Sequence, residues 1–109
     1  MIQELKKEFH KYKDLSHFYF KQLDLVHIKG KDWYIYKVAH SLDALEKYGW
    51  YEVFQHKTVN KMEYKEGKFI KLDDMKVKYP SDEDFGKWAF TFPYKYTIED
   101  IIKCISKRI

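Results

Sequence analysis

An α+β fold built on a mainly antiparallel sheet is expected from three features of the sequence. Aromatic and β-branched runs recur across short turns, helix patterns lie at the two ends and in one short middle piece, and too few helices intervene to connect parallel strands. With 109 residues, the chain suits a single domain over residues 1–109. The architecture expected is about four to six strands with N-terminal, short middle and C-terminal helices.

Ile2, Leu5, Phe9 and Tyr12 recur at spacings of three and four, with Lys6, Lys7, Glu8, Lys11 and Lys13 between them. That periodicity predicts an amphipathic helix from about residue 2 to 14. The run His17 to Phe20 fits an extension of either that helix or the following strand. Leu23 to Ile28 and Trp33 to Val38 flank Lys29-Gly30-Lys31-Asp32, a polar connection with a glycine, and so predict a hairpin. Ser41 as N-cap, Asp43 in the first turn and Gly49 as a stop define a two-turn helix. Trp50 to Val59 then reads as one strand.

Glu66-Gly67 marks a turn before Phe69 to Leu72, and Asp73-Asp74 is expected to break that run. Met75, Val77 and Tyr79 alternate with Lys76 and Lys78, as in a strand with one wet face. The stretch Tyr79 to Pro93 concentrates the most structure in the fewest residues. Ser81-Asp82-Glu83-Asp84 has the form of a capping box, and Gly86 would end its single turn. Trp88, Phe90 and Phe92 are expected on one face of a strand, with Ala89 and Thr91 on the other, closed by Pro93. Thr97 and Asp100 cap a last helix whose apolar stripe is Ile98, Ile101, Ile102, Ile105 and Ile109. Trp88, Phe90 and Phe92 would form the spine on which that helix packs.

Aromatic residues make up 19% of the chain, enough for a core without metal or disulfide. The lone Cys104 excludes an intramolecular disulfide and reads as a small hydrophobe beside the isoleucine stripe. Met1 to Lys13 is charged every second or third residue, unlike a secretory signal, and no apolar run is long enough for a membrane helix. A cytoplasmic protein without a membrane partner is therefore expected. The net charge is +4, carried as +3 by residues 1–31, +1 by residues 32–79 and zero by residues 80–109. Its only arginine is Arg108, a poor endowment for bidentate readout of bases.

No catalytic or cofactor motif stands out, so no cofactor and no enzymatic activity are expected. Histidines 10, 17, 27, 40 and 56 never fall at the spacings of local ligand pairs, and a His27/His56 pair across the sheet is the only metal arrangement to weigh. The Glu-x-Lys triplets at Glu4, Glu63 and Glu66 resemble half of a nuclease signature, yet eight glutamates among so many lysines give one or two by chance. Serines 16, 41, 81 and 106 lie in no nucleophile elbow, and the four glycines are too dispersed for a phosphate loop. What remains is a binding surface. Lys6, Lys7, Lys11 and Lys13 with Tyr12, Tyr19, Tyr34 and Tyr36 are the candidate partner-binding residues, the lysines for phosphates and the rings for bases or a protein.

Tyr51-Glu-Val-Phe54 and Tyr79-Pro-Ser-Asp-Glu-Asp-Phe-Gly-Lys-Trp-Ala-Phe90, with the helix that follows, resemble a pattern in small uncharacterised proteins of phages and mobile elements of gut bacteria. Phe90 stands where that pattern has a second Trp, and the span from Gln55 to Lys78 is longer. The resemblance covers the C-terminal half and implies a strand, turn and strand unit with no catalytic residues. It also implies a role in inhibiting a host or defence protein, as anti-CRISPR proteins do. The alternatives are a nucleic-acid-binding accessory protein, touching RNA or DNA through the N-terminal lysines, and a small enzyme without a recognisable motif.

Overall fold

The computed structural model describes residues 2–109. In chain order its elements are β1 (Ile2–Gln3), β2 (Glu8–Lys13), β3 (Ser16–Ile28), β4 (Lys31–Ala39), α1 (Leu42–Lys47), β5 (Trp50–Gln55), β6 (Thr58–Lys65), β7 (Lys68–Val77), a 3-10 turn (Asp82–Asp84), β8 (Ala89–Pro93) and α2 (Ile98–Arg108). The class is α+β, as expected, but eight strands form two sheets. One is antiparallel in the order β2-β3-β4-β5-β8, and the other runs β1-β7-β6 with β1 parallel to β7.

β4 is the centre of the larger sheet and is buried on both faces from Trp33 to Ala39. Side chains alternate across a strand, so Trp33 and Ile35 point to one face while Tyr34, Tyr36 and Val38 point to the other. The first face packs with Val53 and Phe92 against Ile101 and Ile105 of α2. Each of those isoleucines is fully buried, contributing roughly 1.5–3 kcal/mol. Thr97 positions the helix by accepting from the Asp100 amide at 3.1 Å, while Asp100 accepts from the Thr97 amide at 3.0 Å. The opposite face packs with Phe20 and Phe54 against Val77 of the small sheet, Trp88, and the half-buried Leu5, Phe9 and Tyr79.

Residues 2–14 form no helix. β1 joins β7, the intervening segment is pinned by bonds from the Tyr36 hydroxyl to the Lys6 carbonyl (2.8 Å) and from the Gln22 amide to the Lys7 carbonyl (2.7 Å), and β2 pairs with β3. Leu5 and Phe9, whose spacing suggests a helix, reach one core from the β1–β2 connection and from β2. Phe9 stacks on Phe20 with centroids 4.4 Å apart, a cross-strand contact that a helix would forgo. His17 to Phe20 accordingly belongs to β3.

Three further expectations are corrected. Trp50 to Val59 is two strands, because the chain leaves the large sheet after Gln55 and enters the small one at Thr58. Asp73-Asp74 does not end a strand: β7 runs through it, with Leu72 to Asp74 opposite the single Lys61 and the Asn60 side-chain Nδ2 donating to the Leu72 carbonyl at 2.8 Å. Trp88 precedes β8 and packs with Ala89 on the face away from α2, whereas Phe90 and Phe92 meet the helix. The Lys29-Gly30 hairpin, the Ser41 and Thr97 caps and the Ser81/Asp84 capping box all form as the sequence indicates.

Candidate functional site

β2 and β3 are joined at Asp14-Leu15, both left-handed with φ of 52° and 64°, the backbone of a tight two-residue hairpin turn built without glycine. The register places His10 opposite Tyr19 and Tyr12 opposite His17. Since alternate residues share a face, these four rings make one ladder on the α2 side of the sheet, beyond the reach of the helix. His10 and Tyr19 stack with centroids 5.3 Å apart, Tyr12 and His17 lie 4.8 Å apart, and the two imidazoles 5.8 Å apart. Tyr12 is 59% exposed, and Leu15 at the hairpin tip is 88% exposed.

The ladder leads into a cleft of about 500 Å3 between the sheet and α1. Leu42 and Leu45 of α1 form one wall, Tyr19 and Leu23 of β3 the other, and Lys37 and Tyr51 lie within it. α1 is held there from both ends. The Ser41 hydroxyl oxygen accepts from the Ala44 amide at 3.1 Å, and Gly49 leaves the helix at φ +83° so close to β4 that any Cβ would run into the Val38 carbonyl. Across the cleft floor the register sets Glu8, Lys21, Lys37 and Tyr51 side by side.

Lys37 is the exceptional residue in that row. Only 7% exposed, it has no hydrogen bond or ion pair among the described residues, and its amine sits 4.2 Å from the centre of the Tyr51 ring. The Lys37 stem is buried while the amine opens on the cleft, so the charge stays in contact with solvent rather than sealed in the core. The Tyr51 face contributes ~0.5–2 kcal/mol, and the like charge of Lys21 directly opposite is offset by Glu8, which faces Lys21 from β2. The cleft thus carries two lysines, Lys21 and Lys37, and two acids, Glu8 and Glu46, among apolar side chains, and Lys37 has no ion pair among the described residues.

The candidates from the sequence are scattered by the fold. Tyr12 and Tyr19 share the ladder, but Lys11 and Lys13 point to the opposite face, Lys11 over the Phe20 ring at 5.3 Å and Lys13 bonded to Asp82 at 3.2 Å. Lys6 and Lys7 lie between β1 and β2, where their carbonyls are engaged. Tyr34 and Tyr36 are in the core, 2% and 0% exposed, so neither meets a partner. Lys37 and the α1 cleft were missed because a lysine within an apolar strand reads as a wet-face residue; the like-charged register with Lys21 is visible only once the strands are paired.

The other polar clusters are engaged within the fold. The Glu52 carboxylate accepts from the Tyr79 hydroxyl at 2.7 Å and from the Trp50 indole N–H at 2.9 Å, and the Tyr79 ring meets Phe9, Phe20, Tyr36 and Phe54 edge to face. Burial, reinforced by Glu52, pushes the Tyr79 phenol far up; burial and Glu4 do the same for Tyr34, and Tyr36 rises to about 12. His27 bonds to Asp32 at 2.7 Å while His56 stacks on Tyr34, so the two histidines are not paired with each other. Among the described residues no three His, Cys, Asp or Glu side chains gather as a metal site. Cys104 packs against the α2 core, and no helix among the described residues is long and apolar enough to cross a membrane. No protein-family model, curated protein or solved structure matches this chain.

Proposed function

We propose that this chain is a non-catalytic binding protein of a phage or mobile element that acts by covering a surface of a host protein. The observation that carries the reading is Lys37, whose amine has no ion pair among the described residues and faces Lys21 at the floor of the cleft beside the aromatic ladder. A protein segment bearing one acidic side chain among apolar neighbours complements that floor and those walls. Tyr12 and Tyr19 supply rigid amphipathic contact area of the kind that dominates protein interfaces, and Leu15 supplies an apolar tip. The partner class is a defence effector, following from the resemblance to small phage proteins, with an anti-CRISPR type of inhibition as the outcome.

Plaquing of a phage targeted by the host defence system, with the chain expressed in the host, tests the reading together with capture of the effector on the purified chain. Rescue of plaquing and capture of the effector are expected for the natural sequence, and both are lost in Lys37→Met and in the double substitution Tyr12→Ser, Tyr19→Ser. Absence of rescue and capture by the natural chain, or full rescue by both variants, contradicts it.

A further inference from the structure

The β6–β7 hairpin extends away from both cores, and every residue from Met62 to Lys71 is exposed. A two-stranded hairpin gains little stability on its own in water, so an arm without tertiary cover is poorly explained as a structural element. Its register places Tyr64 opposite Phe69 and Met62 opposite Lys71 on one face. The two rings touch edge to face at 5.1 Å while remaining 66% and 71% exposed. That face continues into an open groove of about 840 Å3 running past Asn60, Met75 and Gln3 to the base of the arm.

The net charge on the arm has the opposite sign to a phosphate chain. Residues 57–78 carry seven lysines against four acids, a net +3, and the exposed stretch 62–71 within them holds three lysines and two acids. None of Lys61, Lys65, Lys68 and Lys71 forms an ion pair among the described residues. Lys65 lies directly opposite Lys68 at the tip, a like-charged cross-strand pair that opposes the hairpin in isolation. Glu4, the one acid lining the groove, is already engaged by the Tyr34 hydroxyl at 2.8 Å.

The geometry points to single-stranded nucleic acid as the occupant of this arm: bases stack on Tyr64 and Phe69, the backbone passes Lys71 on the same face toward the groove, and Lys61, Lys65 and Lys68 on the reverse face of the thin ribbon contribute charge at its edges. Exposed rings flanked by lysines form a platform that any unpaired base can use, whereas bases within a duplex are already stacked. Because only lysines supply the charge, binding is expected to depend on salt and to be tolerant of sequence. The arm and the Lys37 cleft are separate surfaces, so this inference stands or falls independently of the protein-binding reading.

Fluorescence anisotropy of a labelled oligo(dT), and of a duplex of mixed sequence, titrated with the full chain from about 50 to 200 mM salt tests it. Four lysines meeting about four phosphates give a slope of log affinity against log salt of about −3, and Lys65→Gln with Lys68→Gln brings it to about −1.5. Tyr64→Ser and Phe69→Ser each weaken binding roughly tenfold and leave the slope unchanged. All four positions are exposed, so unchanged melting of the variants is expected and serves as the check on folding. Tighter binding of the duplex, absence of salt-dependent binding at about 50 mM, or a slope unaffected by the lysine substitutions overturns the inference.

Discussion

Lys37 lies directly opposite Lys21 across the β3–β4 pair, and its amine rests 4.2 Å from the Tyr51 ring with no ion pair among the described residues. Replacement by methionine of similar length keeps the buried stem and removes a charge that has no ion pair, at the expense of one cation–π contact of about 0.5–2 kcal/mol. Lys37→Met is therefore expected to melt within a few degrees of the natural chain while effector capture falls at least tenfold. Thermal unfolding followed by circular dichroism, beside a binding titration, separates the two effects. A large loss of stability would make Lys37 a structural residue.

Glu52 is expected to matter for stability. Its carboxylate is the acceptor for both Tyr79 and Trp50, so Glu52→Ala strands two donors at the edge of the aromatic core. At ~1–3 kcal/mol for each unsatisfied buried donor, the loss should reach roughly 2 kcal/mol or more, against about 1 kcal/mol for Tyr79→Phe. Urea unfolding checks both values, and a change below about half a kcal/mol in Glu52→Ala contradicts the network.

Alkaline pH should unfold the protein through its buried phenols. Tyr34, Tyr36 and Tyr79 are held neutral by burial, with Tyr36 at about 12 and the other two higher, against 10.0 for a free phenol. Their folded-state values are raised, so the stabilisation is fully present below pH 10 and is lost as pH climbs from there through about 12. Tyrosinate absorbance should show three of the ten tyrosines ionising late, together with loss of tertiary structure. Simple titration of all ten near pH 10 would contradict this.

At the acid end the relevant group is Asp84, held down to about 2 first by the Ser81 amide and then by Lys78, whose amine is 3.0 Å away. A lowered value stabilises above the ordinary 3.8 and loses that contribution as pH falls toward about 2. Asp84→Asn should flatten the acid limb of the stability profile between those limits. An unaltered limb would remove Asp84 from the account of acid stability.

Gly49→Ala should destabilise by more than about 1 kcal/mol, since the residue has positive φ and a Cβ would meet the Val38 carbonyl. Gly30→Ala, at a turn with open space around it, should lose less because only the backbone term applies. Equal effects in chemical denaturation would contradict the tight passage between α1 and β4.

Local signals carried much of the fold. Ser41, Thr97 and Ser81 announce their caps by spacing alone, and Gly30 and Gly67 announce two hairpins, because each of these devices is satisfied within a few residues. The first hairpin was hidden because Asp14 and Leu15 adopt left-handed backbone without glycine, while Leu5 and Phe9 imitate a helical stripe from a connection and a strand. Tyr34 and Tyr36 read as exposed rings because nothing local reveals that β4 is covered on both faces. The site was still less legible. Tyr12 and Tyr19 were recognisable as contact residues, but Lys37 acquires its meaning from its register with Lys21 and Tyr51, and the basic arm is masked by the acids that precede it in the same third of the chain.

Hydrogen exchange of the chain, free and in complex with its captured effector, tests the protein-covering role most directly. Slowed exchange concentrated in the β2–β3 hairpin from Glu8 to Leu23 and in α1, with the far end of α2 unchanged, is the expected result. Protection elsewhere, with the hairpin and α1 exchanging as in the free chain, would contradict the assignment of the Lys37 cleft and the aromatic ladder as the partner surface.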